Sequence, residues 1–332
     1  MSKGFTNLGN TCYMNSTLQC LSHLPQLSIK SEDFIQDIKK RNSKNRTNII
    51  KEWLNLQHKV WLEEGNQVIS TRPILKEFIS MCHTDNIEFE SFNQNDSTDF
   101  LNIFMDFLHK SIKRRVKINI SGEPKNNFDK LKLKSVQTWK DFYEKDYSWI
   151  IVNFYSQLLS ITSCCKCEYI TSNHEPILVI PLTLKEEYNS IYDCLNEFTQ
   201  KEVLDKKNKW KCDNCNEIVQ PQKEMKFWDL ANVLIFSIKA FRLNAKMEKH
   251  IEYPKKLNMK KYCINKGKKH IYDLCGLCIH NGNLNGGHYY SICKDYTENE
   301  WRIHNDTHVS SISLEDVLKE TPYCLFYSRI EC

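Results

Sequence analysis

Residues 4–13 read Gly-Phe-Thr-Asn-Leu-Gly-Asn-Thr-Cys-Tyr, a stretch rich in glycine and short hydrogen-bonding side chains. Such a composition favours a tight turn, and from Met14 to Leu24 apolar residues recur at helical spacing until Pro25 ends the pattern. The turn therefore places Cys12 in the first turn of a predicted helix. The partial positive charge there favours a thiolate, the form that attacks carbonyl carbon. Cys12 is thus a candidate nucleophile, and a buried structural cysteine is the alternative.

A cysteine nucleophile needs a base and an oxyanion donor from elsewhere in the fold. Asn7 can supply the donor amide. His288 follows Gly286 and Gly287 at the start of a predicted strand, where glycines let the backbone approach a substrate closely. Asn305, farther along the chain, can fix the tautomer of the His288 imidazole, and so can the carboxylate beside it. Spacing does not exclude three other histidines as the base: His280, His304 and His308.

Composition limits the class of protein. The chain has 332 residues, 41% hydrophobic and 26% charged, which is an ordinary globular balance. The N-terminus has no apolar signal segment and the longest apolar runs are only strand-length, so we expect a cytoplasmic or nuclear protein that makes no membrane contact. In those compartments the 15 cysteines stay reduced.

The net charge of +5 comes mainly from lysines. Lysine binds phosphate groups with less geometric specificity than arginine does, so no nucleic-acid partner is expected.

The order of patterns along the chain predicts an α+β fold. Helices are expected at about 48–63, from Pro73, and after Asp96, which can cap. The Lys-rich residues 111–146 have a weak pattern and are expected to form a loop. Strands are expected at 149–161, 177–184, 232–241, 271–280, 287–294, 301–304 and 323–329. Helices first and strands later indicate helices segregated from an antiparallel sheet.

Two cysteine pairs have the spacing of a structural zinc site. The pairs are Cys164 with Cys167 and Cys212 with Cys215. The 44 residues between them exceed the loop of an ordinary zinc ribbon, so cysteines that hold no metal are the alternative. The pair Cys275 and Cys278 has the same form but lies in an apolar run and is expected in the core. The cysteines expected singly in the core are Cys82, Cys194, Cys263, Cys293 and Cys324.

Together these motifs resemble the ubiquitin-specific proteases, the papain-like cysteine deubiquitinases. Residues 4–13 resemble their cysteine box, and residues 286–289 with 301–309 resemble their histidine box. Residues 94–100 are similar to the Gln/Asp-rich box between them. Further matches are residues 277–282 and 322–327. The resemblance covers nearly the whole chain in family order.

The resemblance implies a papain-like, right-hand architecture in one catalytic domain spanning residues 1–332. The helical thumb would lie at about 1–145 and the fingers at about 150–230. The antiparallel β palm would be interleaved with the fingers and continue at about 231–332. The globular part of ubiquitin would rest on the fingers, with its tail between thumb and palm.

The resemblance also assigns roles to residues. Cys12 would be the nucleophile, His288 the general base and then acid, and Asn305 the third member of the triad. Asp306 would be an assisting carboxylate and Asn7 the oxyanion-hole amide.

It further assigns substrate and metal contacts. Asp96 and Asp99 would lie near the basic C-terminal tail of ubiquitin, and Gly286 and Gly287 would line a channel for its Gly-Gly end. One structural Zn²⁺, not needed for catalysis, would be held by Cys164, Cys167, Cys212 and Cys215.

The sequence therefore predicts a thiol-dependent deubiquitinase, expected to be a monomer that acts on ubiquitin and ubiquitinated proteins. Three alternatives stay open. The same chemistry could act on another ubiquitin-like modifier, the chain could be a non-catalytic ubiquitin-binding scaffold, or it could be a zinc-dependent nucleic-acid binder.

Overall fold

Helices fill the first half of the chain and strands dominate the second. The computed structural model describes residues 3–40, 48–90, 93–205, 207–242, 245–267, 269–283 and 286–330. Its helices are α1 (Cys12–Ser22), α2 (Glu32–Lys39), α3 (Ile49–Trp61), α4 (Arg72–Thr84), α5 (Ser97–Ile112), α6 (Asn127–Tyr143), α7 (Trp149–Phe154), α8 (Ile191–Thr199) and α9 (Leu314–Val317). The predicted helices that contain Cys12 and follow Asp96 are confirmed, and the Asp96 side chain caps α5 by accepting the N–H of Thr98 at 2.6 Å.

The strands form two main sheets and two short ribbons. Their bounds are β1 (Ser156–Ser163), β2 (Ile170–Ile177), β3 (Val179–Thr183), β4 (Lys201–Val203), β5 (Trp210–Lys211), β6 (Ile218–Val219), β7 (Gln222–Asp229), β8 (Val233–Lys239), β9 (Phe241–Arg242), β10 (Ala245–Lys246), β11 (Lys256–Asn258), β12 (Ile271–Asn283), β13 (Gly286–Asp295), β14 (Glu300–Asn305), β15 (His308–Ile312) and β16 (Cys324–Arg329). The larger sheet has the order β15-β14-β13-β12-β16-β8-β3, with β11 on β12. The smaller sheet has the order β2-β1-β7-β4, and β5 pairs with β6.

The larger sheet is buried on both faces. Successive side chains of a strand point to opposite faces, so Leu277 and Cys278 on β12 enter different clusters. Cys278 packs with helical residues such as Phe100, whereas Leu277 packs with residues near α8 such as Leu195. The α+β prediction is confirmed, and the sheet carries the helices of the first half on one side.

Two predictions about local structure are wrong. Residues 127–143, expected within a loop, form α6, of which Ser135 is the buried residue. Its apolar residues Phe128, Leu131, Trp139 and Phe142 do recur at helical spacing around Ser135, but the lysines between them obscured this pattern. Residues 149–154, expected as the start of a strand, form α7, whose N-cap Ser148 accepts the N–H of Ile151 at 3.3 Å. A short apolar run does not by itself distinguish a buried helix from a strand.

A helix that crosses a membrane must be both long and apolar. Within the described ranges, each helix falls short of the length or the apolar character that a membrane crossing needs.

Candidate active site

The turn before α1 is built by its own side chains. The amide oxygen of Asn7 accepts the N–H groups of Gly9 at 3.0 Å and Thr11 at 3.1 Å. The hydroxyl of Thr11 accepts the N–H of Leu8 at 2.9 Å. Gly9 and Asn10 both have positive φ angles, which the tight reversal requires. The turn therefore fixes where α1 begins and leaves Cys12 at its first position.

Helix α1 is wholly buried and packs against β13. Cys12 is 5% exposed, and the backbone N–H of Tyr289 on β13 donates to its thiol. Burial raises the pKa of Cys12, the negative charge of Asp306 raises it further, and the nearby N–H groups only partly oppose this. These effects together favour the thiol over the thiolate, so a base is needed to assist the deprotonation of Cys12.

His288 lies next to Tyr289 on β13 and bonds to the end of β14. Its Nε2 lies 2.6 Å from the amide oxygen of Asn305. An amide oxygen only accepts, so Nε2 carries the proton and Nδ1 is the basic nitrogen. Cys12 begins α1 and His288 lies on β13, and these two elements pack against each other.

The three competing histidines are placed less well for this role. His280 is 8% exposed and packs on the Tyr289 ring with centroids 4.5 Å apart. His304 precedes Asn305 on the strand, so its side chain points to the opposite face, where it is 2% exposed. His308 is exposed on β15, opposite Asn305 in the register. The geometry favours His288 as the base.

Asp306 binds the turn before α1 rather than His288. Its carboxylate accepts the amide of Asn7 at 2.9 Å and the amide of Asn15 at 2.8 Å. Its backbone carbonyl accepts the N–H of Phe5 at 2.7 Å. Because Asn7 uses its oxygen within the turn, its NH₂ group faces Asp306 and has a second hydrogen to offer an oxyanion. Asp306 therefore positions the candidate oxyanion donor.

Asn15 is a site residue that the sequence analysis missed. It is 2% exposed, and besides Asp306 its amide NH₂ donates to the carbonyl of Thr6 at 3.2 Å. Its amide oxygen accepts the hydroxyl of Thr71 at 3.2 Å. Its position one turn after Cys12 was the available signal, although Ser16, Thr17 and Gln19 in the same helix are polar too.

The glycine pair before His288 is held by a second missed residue, Gln94. The side-chain oxygen of Gln94 accepts the N–H of Gly287 at 2.9 Å. A Cβ atom on Gly287 would lie 2.4 Å from His280 Nε2, and one on Gly286 would lie 3.1 Å from the Gln94 side chain. Packing therefore explains the glycine at position 287, whereas at position 286 a small movement of the Gln94 side chain would make room. The contact of both glycines with a substrate stays a prediction.

Asp96 and Asp99 are placed differently from one another. Asp96 is engaged, since besides capping α5 it accepts the hydroxyl of Tyr323. Asp99 is exposed on its outer side and partly desolvated where it meets the protein. This partial desolvation is the main cause that raises the pKa of its carboxyl group, and the charge of Asp96 adds to it. Lys239 acts in the opposite direction. Asp99 is therefore the carboxylate available to a basic ligand, and Asp96 has a clear structural role in the free chain.

An Asp306→Asn variant tests the electrostatic effect of Asp306 on Cys12. A nearby negative charge disfavours a thiolate, so its removal should lower the pKa of Cys12 and move the pH profile of Cys12 alkylation to lower pH. Hydrolysis should fall about ten- to a hundred-fold, because an amide with one oxygen cannot replace both carboxylate bonds, to Asn7 and to Asn15. Mass spectrometry of alkylated Cys12 across pH checks the first effect.

The matched control for this variant is Asp316→Asn on the exposed helix α9, which is not part of the turn before α1. It should leave the alkylation profile of Cys12 unchanged. An unshifted profile in Asp306→Asn, or the same shift in both variants, would contradict the electrostatic effect.

Four cysteines converge at the end of the smaller sheet. The sulfur atoms of Cys164, Cys167, Cys212 and Cys215 all lie within 4.8 Å of one another. The two pairs sit in similar turns, in which the N–H of Cys164 bonds to the carbonyl of Tyr169 and that of Cys212 to the carbonyl of Glu217, both at 2.9 Å. The sequence-predicted set is therefore together in the fold and could hold a metal ion.

Comparisons with known proteins were made for the whole chain. A family model described as "Ubiquitin carboxyl-terminal hydrolase" matches residues 3–327. Ubiquitin carboxyl-terminal hydrolase 2 of Bos taurus is 29% identical over 98% of this chain and 54% of its own length. The Gallus gallus protein of the same name is 30% identical over 98% of this chain and 92% of its own length. The chain thus spans about half the length of the mammalian relatives it matches.

Solved structures of SAGA DUB modules also match this chain. A SAGA DUB module containing Ubp8, bound to monoubiquitin, superposes with a TM-score of 0.76 and 27% identity, covering 100% of this chain and 69% of that chain. The SAGA Ubp8/Sgf11/Sus1/Sgf73 DUB module bound to ubiquitin aldehyde has a TM-score of 0.72 at the same identity, covering 100% of this chain and 70% of that chain. The match to the family model covers nearly the whole sequence and the fold agrees with it, so this chain belongs to the ubiquitin carboxyl-terminal hydrolase family.

Proposed function

We propose that the chain is a thiol-dependent deubiquitinase that hydrolyses the peptide or isopeptide bond after the C-terminal glycine of ubiquitin. The observation that carries this proposal is the 2.6 Å hydrogen bond between His288 and Asn305, made on the strand against which the helix of Cys12 packs, in a chain of this family. That bond selects the tautomer in which Nδ1 of His288 can take the thiol proton.

The proposed reaction has two steps. In the first, His288 Nδ1 takes the proton of Cys12, and the sulfur forms a bond to the substrate carbonyl carbon. The oxyanion accepts hydrogen bonds from the second amide hydrogen of Asn7 and from backbone N–H groups at the start of α1. The C–N bond then breaks, and His288 gives its proton to the leaving amine, which leaves ubiquitin attached to Cys12 as a thioester.

In the second step water replaces the leaving amine. His288 Nδ1 removes a proton from a water molecule, and the oxygen of that water attacks the thioester carbonyl carbon. The C–S bond breaks and His288 returns its proton to Cys12, while the carboxylic acid formed on ubiquitin loses its own proton to solvent and leaves as the carboxylate. Burial raises the pKa of Cys12 and so disfavours its thiolate, which makes the transfer of its proton to His288 part of the reaction.

Substrate contacts follow from the same surface. Gly286 and Gly287 lie directly before His288, where the absence of side chains admits a narrow peptide end. The exposed carboxylate of Asp99, with Asp96 next to it, provides negative charge for an arginine of the ubiquitin tail. Two solved relatives are bound to monoubiquitin and to ubiquitin aldehyde, which supports ubiquitin as the partner.

Hydrolysis of fluorogenic conjugates tests this function. Ubiquitin and several ubiquitin-like modifiers, each carrying the same C-terminal fluorophore amide, should be compared at equal concentration. We expect the ubiquitin conjugate to be cleaved fastest. Cleavage of another modifier alone would overturn the assignment of ubiquitin, and ubiquitin binding without any cleavage would indicate a scaffold.

We further propose that the four-cysteine cluster holds one structural Zn²⁺. The sulfur of Cys164 lies 3.9 Å from that of Cys215, and the sulfur of Cys167 lies 3.5 Å from that of Cys212. Four sulfurs at about 2.3 Å from a tetrahedral Zn²⁺ would be about 3.8 Å apart, so the cluster has the dimensions of such a site. Four thiolates also suit Zn²⁺ better than a hard cation. The cluster lies away from Cys12, so the proposed ion has no part in the reaction.

A Cys212→Ser variant tests this metal site. Cys212 is fully buried and its sulfur contacts that of Cys167, so its loss removes a ligand that water cannot easily replace. The variant should lose one equivalent of zinc per chain, and protease should then cut between residues 164 and 215. Cys165→Ser, at an exposed cysteine outside the cluster, should keep the zinc content of the unchanged chain. Equal zinc content in both variants would contradict the proposal.

We also propose that the chain acts as a monomer in the cytoplasm or nucleus. Every cysteine in the described ranges is a free thiol, and this suits a reducing compartment. Fractionation of cells that express the tagged chain tests its compartment. Size-exclusion chromatography of the soluble fraction tests whether the chain is a monomer. Recovery in a secretory compartment would overturn the first part, and recovery as a dimer the second.

A further inference from the structure

A second group of potential metal ligands lies in the core, away from the four-cysteine cluster. It consists of His23, Cys293 and His304, whose ligand atoms all lie within 4.8 Å of one another. The three residues are 1%, 0% and 2% exposed. His23 follows α1, Cys293 lies on β13, and His304 lies on β14 directly before Asn305. Three separate elements therefore bring these side chains together.

The hydrogen bonding of His23 orients it as a ligand. Its Nδ1 lies 2.8 Å from the carbonyl oxygen of Gln19. Because a carbonyl only accepts, Nδ1 carries the proton and the lone pair is on Nε2. Metal-binding histidines commonly donate their other ring N–H to a backbone carbonyl in this way. Nε2 of His23 is buried, makes no hydrogen bond of ordinary geometry, and has the Cys293 thiol as its polar neighbour.

His304 is the more unusual member of the group. Neither ring nitrogen has a hydrogen-bond partner among the described residues, although both are buried. The main chain of Lys3 interacts weakly with the ring, without the geometry of an ordinary hydrogen bond. The rings of His23 and His304 have centroids 4.9 Å apart. Buried polar atoms left without partners call for a water or an ion between them, and here two imidazoles and a thiol surround one point.

We propose that His23, Cys293 and His304 form a second metal site, which takes Zn²⁺. Two imidazole nitrogens and a thiolate are donors that this ion prefers. The thiol of Cys20 lies 4.0 Å from that of Cys293 but outside the group whose ligand atoms all lie within 4.8 Å of one another, so the structure provides three ligands from the protein. The buried carboxylate of Asp295 interacts electrostatically with His23 and would help to balance the charge of the ion.

A metal at this point would stabilise the active site without touching a substrate. It would join the end of α1 to β13 and β14, the three elements that carry Cys12, His288 and Asn305. A metal ion would reach the proposed site through a small cavity of about 150 Å³, which is lined by His23, Cys275 and Tyr296. Loading should therefore be easiest during folding.

Zinc content after refolding tests the site. The unfolded chain is refolded with excess Zn²⁺ and freed of loosely bound ion by gel filtration. The unchanged chain should retain two equivalents of zinc, Cys212→Ser one, and His304→Phe one. His308→Phe, at an exposed histidine on the next strand, should retain two. One equivalent of zinc in the unchanged chain and one in His304→Phe would overturn the proposal. An ion pair between Cys293 and His23, or a buried water, would then explain why His23, Cys293 and His304 lie together.

X-ray absorption at the zinc edge provides a test that needs no variant, should His304→Phe fail to fold. With both sites loaded, the refolded chain should show imidazole nitrogen scattering alongside sulfur. Scattering from sulfur alone would mean that only the four-cysteine cluster holds zinc and would overturn the proposal. Since this readout does not depend on hydrolysis, it is independent of the proposed deubiquitinase function.

Discussion

A Cys12→Ala variant is expected to lose hydrolysis of ubiquitin conjugates by about 10⁴-fold or more, while it retains its fold and its affinity for ubiquitin. Cys12 is almost fully buried at the start of α1, and alanine adds no volume there. The oxyanion donor Asn7 is left in place, because its contacts with Gly9 and Asp306 do not involve the thiol. The measurements are kcat/KM on a fluorogenic ubiquitin conjugate and ubiquitin binding by calorimetry.

The matched control for this variant is Cys165→Ala. Cys165 is exposed and lies outside the four-cysteine cluster, so its removal should leave kcat/KM unchanged. Turnover that survives Cys12→Ala would mean that another group is the nucleophile. A similar loss in both variants would mean that the effect is not specific to Cys12.

A His288→Ala variant is expected to lower kcat/KM by about 10²- to 10⁴-fold, which is the usual contribution of a general base. The loss should be large here, because burial and Asp306 raise the pKa of Cys12 and so leave little thiolate without a base. Affinity for ubiquitin should stay near that of the unchanged chain. Steady-state kinetics with single-turnover measurements separate the chemical step from binding.

The control for the base is His308→Ala, since His308 is exposed on β15 opposite Asn305. It should retain full activity. If His308→Ala or His280→Ala abolished turnover and His288→Ala did not, the assignment of the base would be wrong.

Local signals predicted the elements that carry the nucleophile and the Gln/Asp-rich box. Helix α1 could be predicted because its apolar residues recur regularly and Pro25 stops the pattern, and α5 because Asp96 is a good cap. Helix α6 carried a weaker signal, because it buries little and lysines separate the apolar residues that recur at helical spacing. Helix α7 was mistaken for a strand because its short apolar run fits both structures.

At the site, the resemblance named residues but not their contacts. The Asn305–His288 bond joins neighbouring strands β13 and β14, and that pairing is not visible in the spacing of residues along the chain. The same is true of Asp306, expected to assist His288, whose carboxylate instead binds Asn7 and Asn15. Contacts between distant segments depend on register and helix packing, which local patterns do not encode.

The buried His–Cys–His group illustrates the limit most clearly. In the sequence, Cys293 has the pattern of a small core residue, and nothing links it to His23, which lies 270 positions earlier. Only the packing of α1 against β13 brings them within ligand distance. Sequence spacing finds metal sites whose ligands come in close pairs, such as Cys164 with Cys167, and it misses sites assembled from single residues.

The most direct test of the central claim is the reaction of the folded chain with ubiquitin that carries a C-terminal electrophile. The proposed mechanism predicts one covalent adduct per chain, mapped by peptide mass spectrometry to Cys12 and absent from Cys12→Ala. The absence of an adduct on folded chain, or an adduct at a different cysteine, would contradict it.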